Sequence, residues 1–194
     1  MATNSNKVQF GLSNCHYAIA TEGTNGAITF GEWKDLPFAI NLNRGENSNT
    51  SNQYADNKLI FTATAVASET LALEMSKISD DFKIDVLGYK RATNGNLVKI
   101  VNGIKKKFAL GFEVKGDVKK ARHIFFLCEA NSIDDGDPST DTDSINFSND
   151  TINMTAYPIT LASGDYAIKE RVDEEDSNYA TIFTNALTLP TFSA

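Results

Sequence analysis

A mainly β domain with one short flanking helix is the fold class this sequence predicts, and three observations predict it. Apolar and polar residues alternate at period two through Leu36–Leu42 and Thr151–Ile159. Asn94-Gly95 and Gly116-Asp117 sit between apolar runs, where hairpins turn. A single segment, Ser79 to Gly88, carries helix punctuation at both ends. The chain has 194 residues, 41% of them hydrophobic. That is enough for one domain spanning 1–194, which would bury about 70% of the surface its unfolded form exposes.

Val8–Leu12 and Cys15–Thr21 open the chain as extended pieces, and Gly23–Gly26 signals a turn. Leu36, Phe38, Ile40 and Leu42 share one face of a strand, opposite Pro37, Ala39 and Asn41, and Pro37 points to an edge or entry position. Asn43–Asn57 breaks that rhythm: it has no apolar period and is rich in Asn and Ser. This predicts a long inter-strand loop, either a solvated excursion or an arm that orders on a neighbouring subunit. Strands follow at Lys58–Val66 and Leu71–Lys77 around a Ser68-Glu69-Thr70 turn, with a helix through Ala63–Met75 as the competing reading.

At the helix, Ser79 can cap the N-terminus, Asp80 and Asp81 complement the first-turn dipoles, and Phe82 and Val86 lie four apart beside Leu87. Gly88 supplies the left-handed stop. The two hairpins come next, the second flanked by Phe108–Lys115 and Arg122–Glu129. A polar loop spans Asp134–Asp143, and in the strand that follows Ile152, Met154 and Ala156 face away from Asn153, Thr155 and Tyr157. Short strands near Tyr166–Lys169 and Tyr179–Thr184 precede a tail at Leu187–Ala194.

The formal charge of −7 is unevenly placed. Leu97–Arg122 holds eight basic and two acidic residues, a net of +6, whereas Glu129–Asp176 holds two basic and thirteen acidic, a net of −11. An acidic whole argues against tight sequence-independent nucleic-acid binding, which needs many phosphate contacts. The asymmetry fits either two solvated faces or complementary patches on successive copies. In the second case Lys105, Lys106, Lys107, Lys119, Lys120 and Arg122 form the inter-subunit basic patch, and Asp173, Glu174, Glu175 and Asp176 the acidic one.

No catalytic constellation emerges. His16 and His123 are the only histidines, each in a strand-like run, and Cys15 and His16, being adjacent, point to opposite faces. Cys15 and Cys128 are expected as buried free thiols of a chain folded in a reducing cytoplasm. No Cys/His spacing suits zinc, and the aspartates between Asp134 and Asp143 lack the ordered calcium-loop pattern and its terminal glutamate. Lys105-Lys106-Lys107 has no interleaved aromatic platform for single strands. Met1–Asn6 lacks the form of a signal peptide, and no apolar run reaches the roughly 20 residues of a membrane helix. The expectation is therefore a non-enzyme without metal or cofactor.

The order of several short motifs resembles the major tail tube protein of long, flexible-tailed bacteriophages. The carrying residues are Val8-Gln-Phe-Gly-Leu12 with Tyr17-Ala-Ile19, Asp80-Asp81-Phe82 through Leu87-Gly88, and Asn94-Gly-Asn-Leu-Val98. Phe108–Gly116, His123-Ile-Phe-Phe-Leu127, Ile145-Asn-Phe147 and Thr151–Pro158 complete the series, which covers about residues 8–185. The resemblance implies a β-sandwich or β-barrel-like tail tube fold whose copies close into hexameric rings and stack into a tube that conducts DNA to the host cell. Asn43–Asn57 then matches the loop reaching the adjoining ring, with Arg44, Glu46, Asn47, Asn52 and Tyr54 as candidate stacking residues. Residues 1–10 and 187–194 match terminal arms, and Leu36–Leu42 and Lys58–Val66 the lumen-facing sheet, with Asp35, Ala39, Asn41 and Asn43 as candidate lumen residues. Implied partners are further copies of the chain and tape measure, distal tail and tail terminator proteins. DNA would pass the lumen without specific binding, and no membrane is involved. The protein would reside in the virion tail after synthesis in the host cytoplasm. The inner tube of a contractile tail or secretion system is the alternative, and a monomeric carbohydrate-binding β-sandwich a more distant one.

Overall fold

The computed structural model describes residues 6–24, 26–136 and 147–192. Its strands are β1 (Gln9–Glu22), β2 (Ile28–Phe30), β3 (Lys34–Asp35), β4 (Ala39–Ala55) and β5 (Lys58–Met75), followed by helix α1 (Asp80–Asp85). After the helix come β6 (Lys90–Arg91), β7 (Leu97–Val98), β8 (Phe108–Gly116), β9 (Ala121–Asp134), β10 (Asp150–Ala156), β11 (Ile159–Thr160), β12 (Tyr166–Ala167) and β13 (Lys169–Asp173). One antiparallel sheet runs β2-β1-β8-β9-β10-β5-β4, with β3 added to β1 and β13 to β9. The chain is mainly β with one short helix, as its patterning predicts.

The sheet folds over itself, because one core collects the same-face residues of nearly every long strand. Tyr17 of β1, Leu73 of β5, Phe108 of β8, Phe125 of β9 and Met154 of β10 meet there around Phe82 and Val86. The helix closes this core. Its cap is the expected one, with Phe82 N–H donating to Ser79 Oγ at 3.3 Å. Gly88 holds φ = 75° and Tyr89 N–H reaches back to Lys83 O, the closure of a helix ended by a left-handed glycine. A second apolar cluster covers the opposite face of β1, β8 and β9: Ala18, Ala109, Ile124 and Phe126 pack under Ile159, Ile182, Phe183 and Leu187.

The hairpins at Asn94-Gly95 (β6/β7) and Gly116-Asp117 (β8/β9) form as predicted, and Ile152, Met154 and Ala156 are buried along β10. Both cysteines are buried free thiols.

Four readings need correction. Asn43–Asn57 is not a loop but the strand β4 and the turn beyond it, paired with β5 from Ala39↔Met75 out to Ala55↔Lys58. Asp56 and Asn57, at φ 49° and 58°, make the two-residue turn in which both central residues are left-handed. Ladder hydrogen bonds come from the backbone, so a strand that buries neither face needs no apolar alternation. Ser68-Glu69-Thr70 is likewise not a turn but lies inside β5, with Glu69 buried.

The alternation from Leu36 to Leu42 also does not mark one buried face: Leu36 is buried, Phe38 is 70% exposed and Ile40 48% exposed. Phe38 sits at φ = 70° and a register shift follows between Ala39 and Asn41, so the face reverses and Ala39 packs inward. Finally, 179–184 is a run of turns, with Thr181 N–H donating to Asn178 O and Thr184 N–H to Thr181 O. Ile182 and Phe183 anchor it on the second cluster. Residues 137–146 of the acidic loop and of the Ile145-Asn motif lie outside the described residues, as do 1–5 and 193–194 of the expected arms. The described part of the first arm is tied down: Asn6 Oδ1 accepts from Val118 N and Lys119 N, and Lys7 N donates to Asp117.

Candidate functional site: a bare sheet face, two open edges and an arm

Where β4, β5, β10 and the end of β9 lie side by side, their inner residues build the core and their outer residues meet solvent. Three rows cross that outer face: Asn41, Glu74, Thr151 and Asp134; Asn43, Ala72, Asn153 and Ser132; Gly45, Thr70, Thr155 and Glu129. None of these is lysine or arginine. Short polar groups bond to one another across the strands, with Asn131 Nδ2 donating to Thr155 Oγ1 at 2.8 Å and Asn149 Nδ2 to Glu74 Oε1 at 2.7 Å. Asn41 Nδ2 lies 3.4 Å from Asn43 Oδ1. With Glu74, Asp134 and Glu129 and no base, these rows make the face acidic, and they offer no cation to a phosphate.

Of the four candidate lumen residues, only Asn41 and Asn43 lie on this face. Asp35 pairs instead with His16 Nδ1 at 3.0 Å beside β1. Ala39 is turned inward by the reversal at Phe38.

Among the described residues, the four-strand part of the sheet that bears this face has an open edge on each side. β4 pairs with β5 alone along its whole length. β9 pairs with β8 only as far as Cys128, and from Glu129 to Asp134 it pairs with β10 alone.

Beyond Glu69, the last β5 residue paired with β10, the β4–β5 hairpin has no third strand among the described residues. From Ser48↔Val66 to the turn, eight residues of β4 and nine of β5, with a bulge at Ile60, project about 27 Å at 3.4 Å per residue. Candidate stacking residues Asn47, Asn52 and Tyr54 lie on this arm, and Arg44 and Glu46 at its root. Asn47 Nδ2 donates to Ser68 Oγ and Thr62 Oγ1 to Asn52 Oδ1, bracing the two strands. Tyr54, Leu59, Ile60 and Phe61 are exposed there, Phe61 by 60%. The last three are arm residues that the sequence reading missed; Asp56-Asn57 between Tyr54 and Leu59 was the available signal.

The charge patches meet inside one chain. Asp173 registers with Ala121, bringing the acidic run beside the basic one. Lys119 pairs with Asp173 at 3.7 Å and Glu175 at 3.3 Å, Lys120 N–H donates to Glu174, and Arg122 bonds Glu113 at 3.1 Å. Asp176 accepts from Asp173 N–H. Lys119, Lys120 and Arg122, expected to face another copy, thus have carboxylate partners within their own chain. Burial works against the Glu113 charge, yet bonds from Arg122 and Tyr179 hold its carboxyl below the usual range. Arg122 also stacks 4.2 Å from the Tyr179 ring, which fixes the C-terminal turns.

Among the other lysines, Lys107 pairs with Glu22 at 2.7 Å, Lys105 donates to two backbone carbonyls, and Lys106 has no side-chain hydrogen bond or ion pair among the described residues. Burial lowers His123 to about 4, helped by Arg44, Arg171 and Lys169. It pushes Cys15 up to about 12 and Cys128 upward as well. A thiol held protonated is a packing group rather than a nucleophile. No grouping of His, Cys, Asp and Glu among the described residues could hold a metal ion.

No protein-family model and no curated protein matches the sequence. Similar solved structures include a chain of the anti-feeding prophage baseplate determined with 6-fold symmetry. It is 8% identical with a TM-score of 0.41, over 87% of this chain and 96% of that one. Another is a type six secretion system protein, 11% identical with a TM-score of 0.33, over 81% and 91%.

Proposed function

We propose that this chain is a structural, non-enzymatic subunit of a phage-type tail tube, closing into rings that stack into a hollow conduit for DNA. The observation that carries the reading is one sheet with a bare polar face and an open edge on either side. Pairing the β4 edge of one copy with the β9 edge of the next is a heterologous contact. Repeated around an axis it closes a barrel and removes both edges. The uncovered face then lines the lumen, where amides, hydroxyls and a few carboxylates leave phosphates free to slide. The arm reaches along the axis and buries Tyr54, Leu59 and Phe61 on an adjoining ring. Ring number six, the tape measure, distal tail and terminator partners, and residence in the virion tail belong to the same reading, through the family resemblance.

Negative-stain electron microscopy across a concentration series tests it, together with a search for the chain in virions. Hollow rings or tubes are expected. A monomer at every concentration that is also absent from virions overturns the proposal. Asn43→Lys and Asn153→Lys place cations in the lumen and are expected to impede DNA ejection while tubes still form; unimpaired ejection refutes the lumen assignment. The same geometry serves the inner tube of a contractile or secretion system, and a sheath around the tube is the observation that separates the two.

A further inference from the structure

Beyond Cys128 the backbone of the 105–107 segment leaves β9 instead of extending β8 along it. Lys106 N–H donates to Val86 O, and Lys107 O accepts from Ala20 N–H. The side chain of Lys105 takes the vacated place. Its ammonium donates to Asn131 O at 2.7 Å and Ala130 O at 3.1 Å, at a bulge opposite Met154 where β9 has lost its partner on that side. Beside this edge lies a groove of about 310 Å³ lined by Leu87, Tyr89, Ile100, Val101 and Ile133. The rim is apolar, with Val101 fully exposed, and basic, with Lys99 and Lys105 unpaired by any carboxylate among the described residues.

Resting on the ring reading above, we propose that Lys105 is an assembly gate. In the free subunit it caps the β9 edge, and the β4 edge of a second copy displaces it. Three features of β4 fit it to this groove. Its outer edge is unpaired from Ala39 onward, it presents Phe38 and Ile40 to solvent beside that edge, and Glu46 has no ion-pair partner among the described residues. Backbone N–H groups of β4 replace the ammonium at the β9 carbonyls, Phe38 and Ile40 fill the apolar groove, and Lys99 on its rim meets Glu46 of the next copy. A charged side chain on a sheet edge deters indiscriminate strand pairing. One held by two carbonyl bonds yields only to a partner that supplies equivalent donors together with buried apolar surface.

The test compares the concentration threshold for rings and tubes, by light scattering and negative stain, in wild type, Lys105→Met and Lys106→Met. Both variants lose one positive charge, but only the first uncaps β9. Lys105→Met is expected to lower the threshold roughly tenfold, the worth of a charge-assisted bond, and Lys106→Met to leave it within about twofold. An unchanged or raised threshold in Lys105→Met overturns the gate. Oxidation of an Ile40→Cys/Val101→Cys variant is expected to produce a ladder of cross-linked copies. Rings without that ladder remove β4 as the occupant while leaving the ring reading intact. Absence of both ladder and rings defeats both.

Discussion

The two halves of the β4–β5 hairpin are paired by the same kind of backbone ladder and differ in almost everything else. At the base, Leu71, Leu73 and Met75 alternate inward onto β10 and the core, and each is at most 2% exposed. On the arm, Leu59, Ile60 and Phe61 are consecutive, point to both faces and are all more than half exposed. A two-stranded ribbon is marginal in water by itself, whereas a third strand and an apolar face make the base a stable unit. The arm therefore carries apolar surface that the described residues do not cover, which is the property of a contact element rather than of a core.

The contrast can be broken most severely at the base. Phe82→Ala removes the ring that meets both Tyr17 and Phe108, and is expected to cost about 3–5 kcal/mol in denaturant unfolding. A cost near zero means that the helix does not close the core. Leu59→Ser with Phe61→Ser on the arm is expected to change monomer stability by about 0.5 kcal/mol or less and to abolish stacked tubes. Deleting the paired residues Asn52–Gln53 and Phe61–Thr62 keeps register, face and turn while shortening the reach. It should uncouple rings from one another, and normal tubes from it would remove the arm from the stacking contact.

Acid titration sharpens the same boundary. The folded protein holds His123 at about 4 against 6.5 for a free imidazole, so the unfolded chain binds this proton first as pH falls. The associated stability is fully present above pH 6.5 and is lost progressively down to about 4. Glu113, also depressed, adds a loss at more acid pH as it protonates. His123→Gln is expected to flatten the upper part of that profile, and an unchanged slope between pH 6.5 and 4 would count against it. The smallest effect is at the arm's tip. Asn57→Gly relieves a left-handed residue at φ = 58° and is expected to stabilise the turn by about 0.5 kcal/mol, read as slower amide exchange in the distal rungs.

Legibility followed burial. The helix at Ser79–Gly88, the strands read at Phe108–Lys115 and Thr151–Ile159 and the buried thiols could be read from the chain to within a few residues, because periodic apolar faces and local punctuation residues mark them. The arm could not, since Asn, Ser and Thr on both faces carry no periodic signal, and the turn signal was Asp-Asn rather than a glycine. Leu36–Leu42 misled for the opposite reason: its alternation is clean in sequence, but Phe38 reverses it through a backbone conformation that side-chain pattern does not encode. Of the candidate residues named from the chain, Asn41 and Asn43 lie on the bare face and Asn47, Asn52 and Tyr54 on the arm, whereas Asn153, Ser132 and Thr155 of that face were not named. Their shared face depends on how four strands align.

Sequence by itself determined the class of fold, the helix with its cap and stop, two of the hairpins and the residues of the central core, because these follow from neighbours a few positions apart. Only the tertiary structure decided which polar residues share one bare face, that Lys119 and Asp173 meet within a single chain, and that β4 and the end of β9 are left as open edges. Those facts depend on strand order and register, which bring residues more than fifty positions apart into contact and which no local pattern specifies.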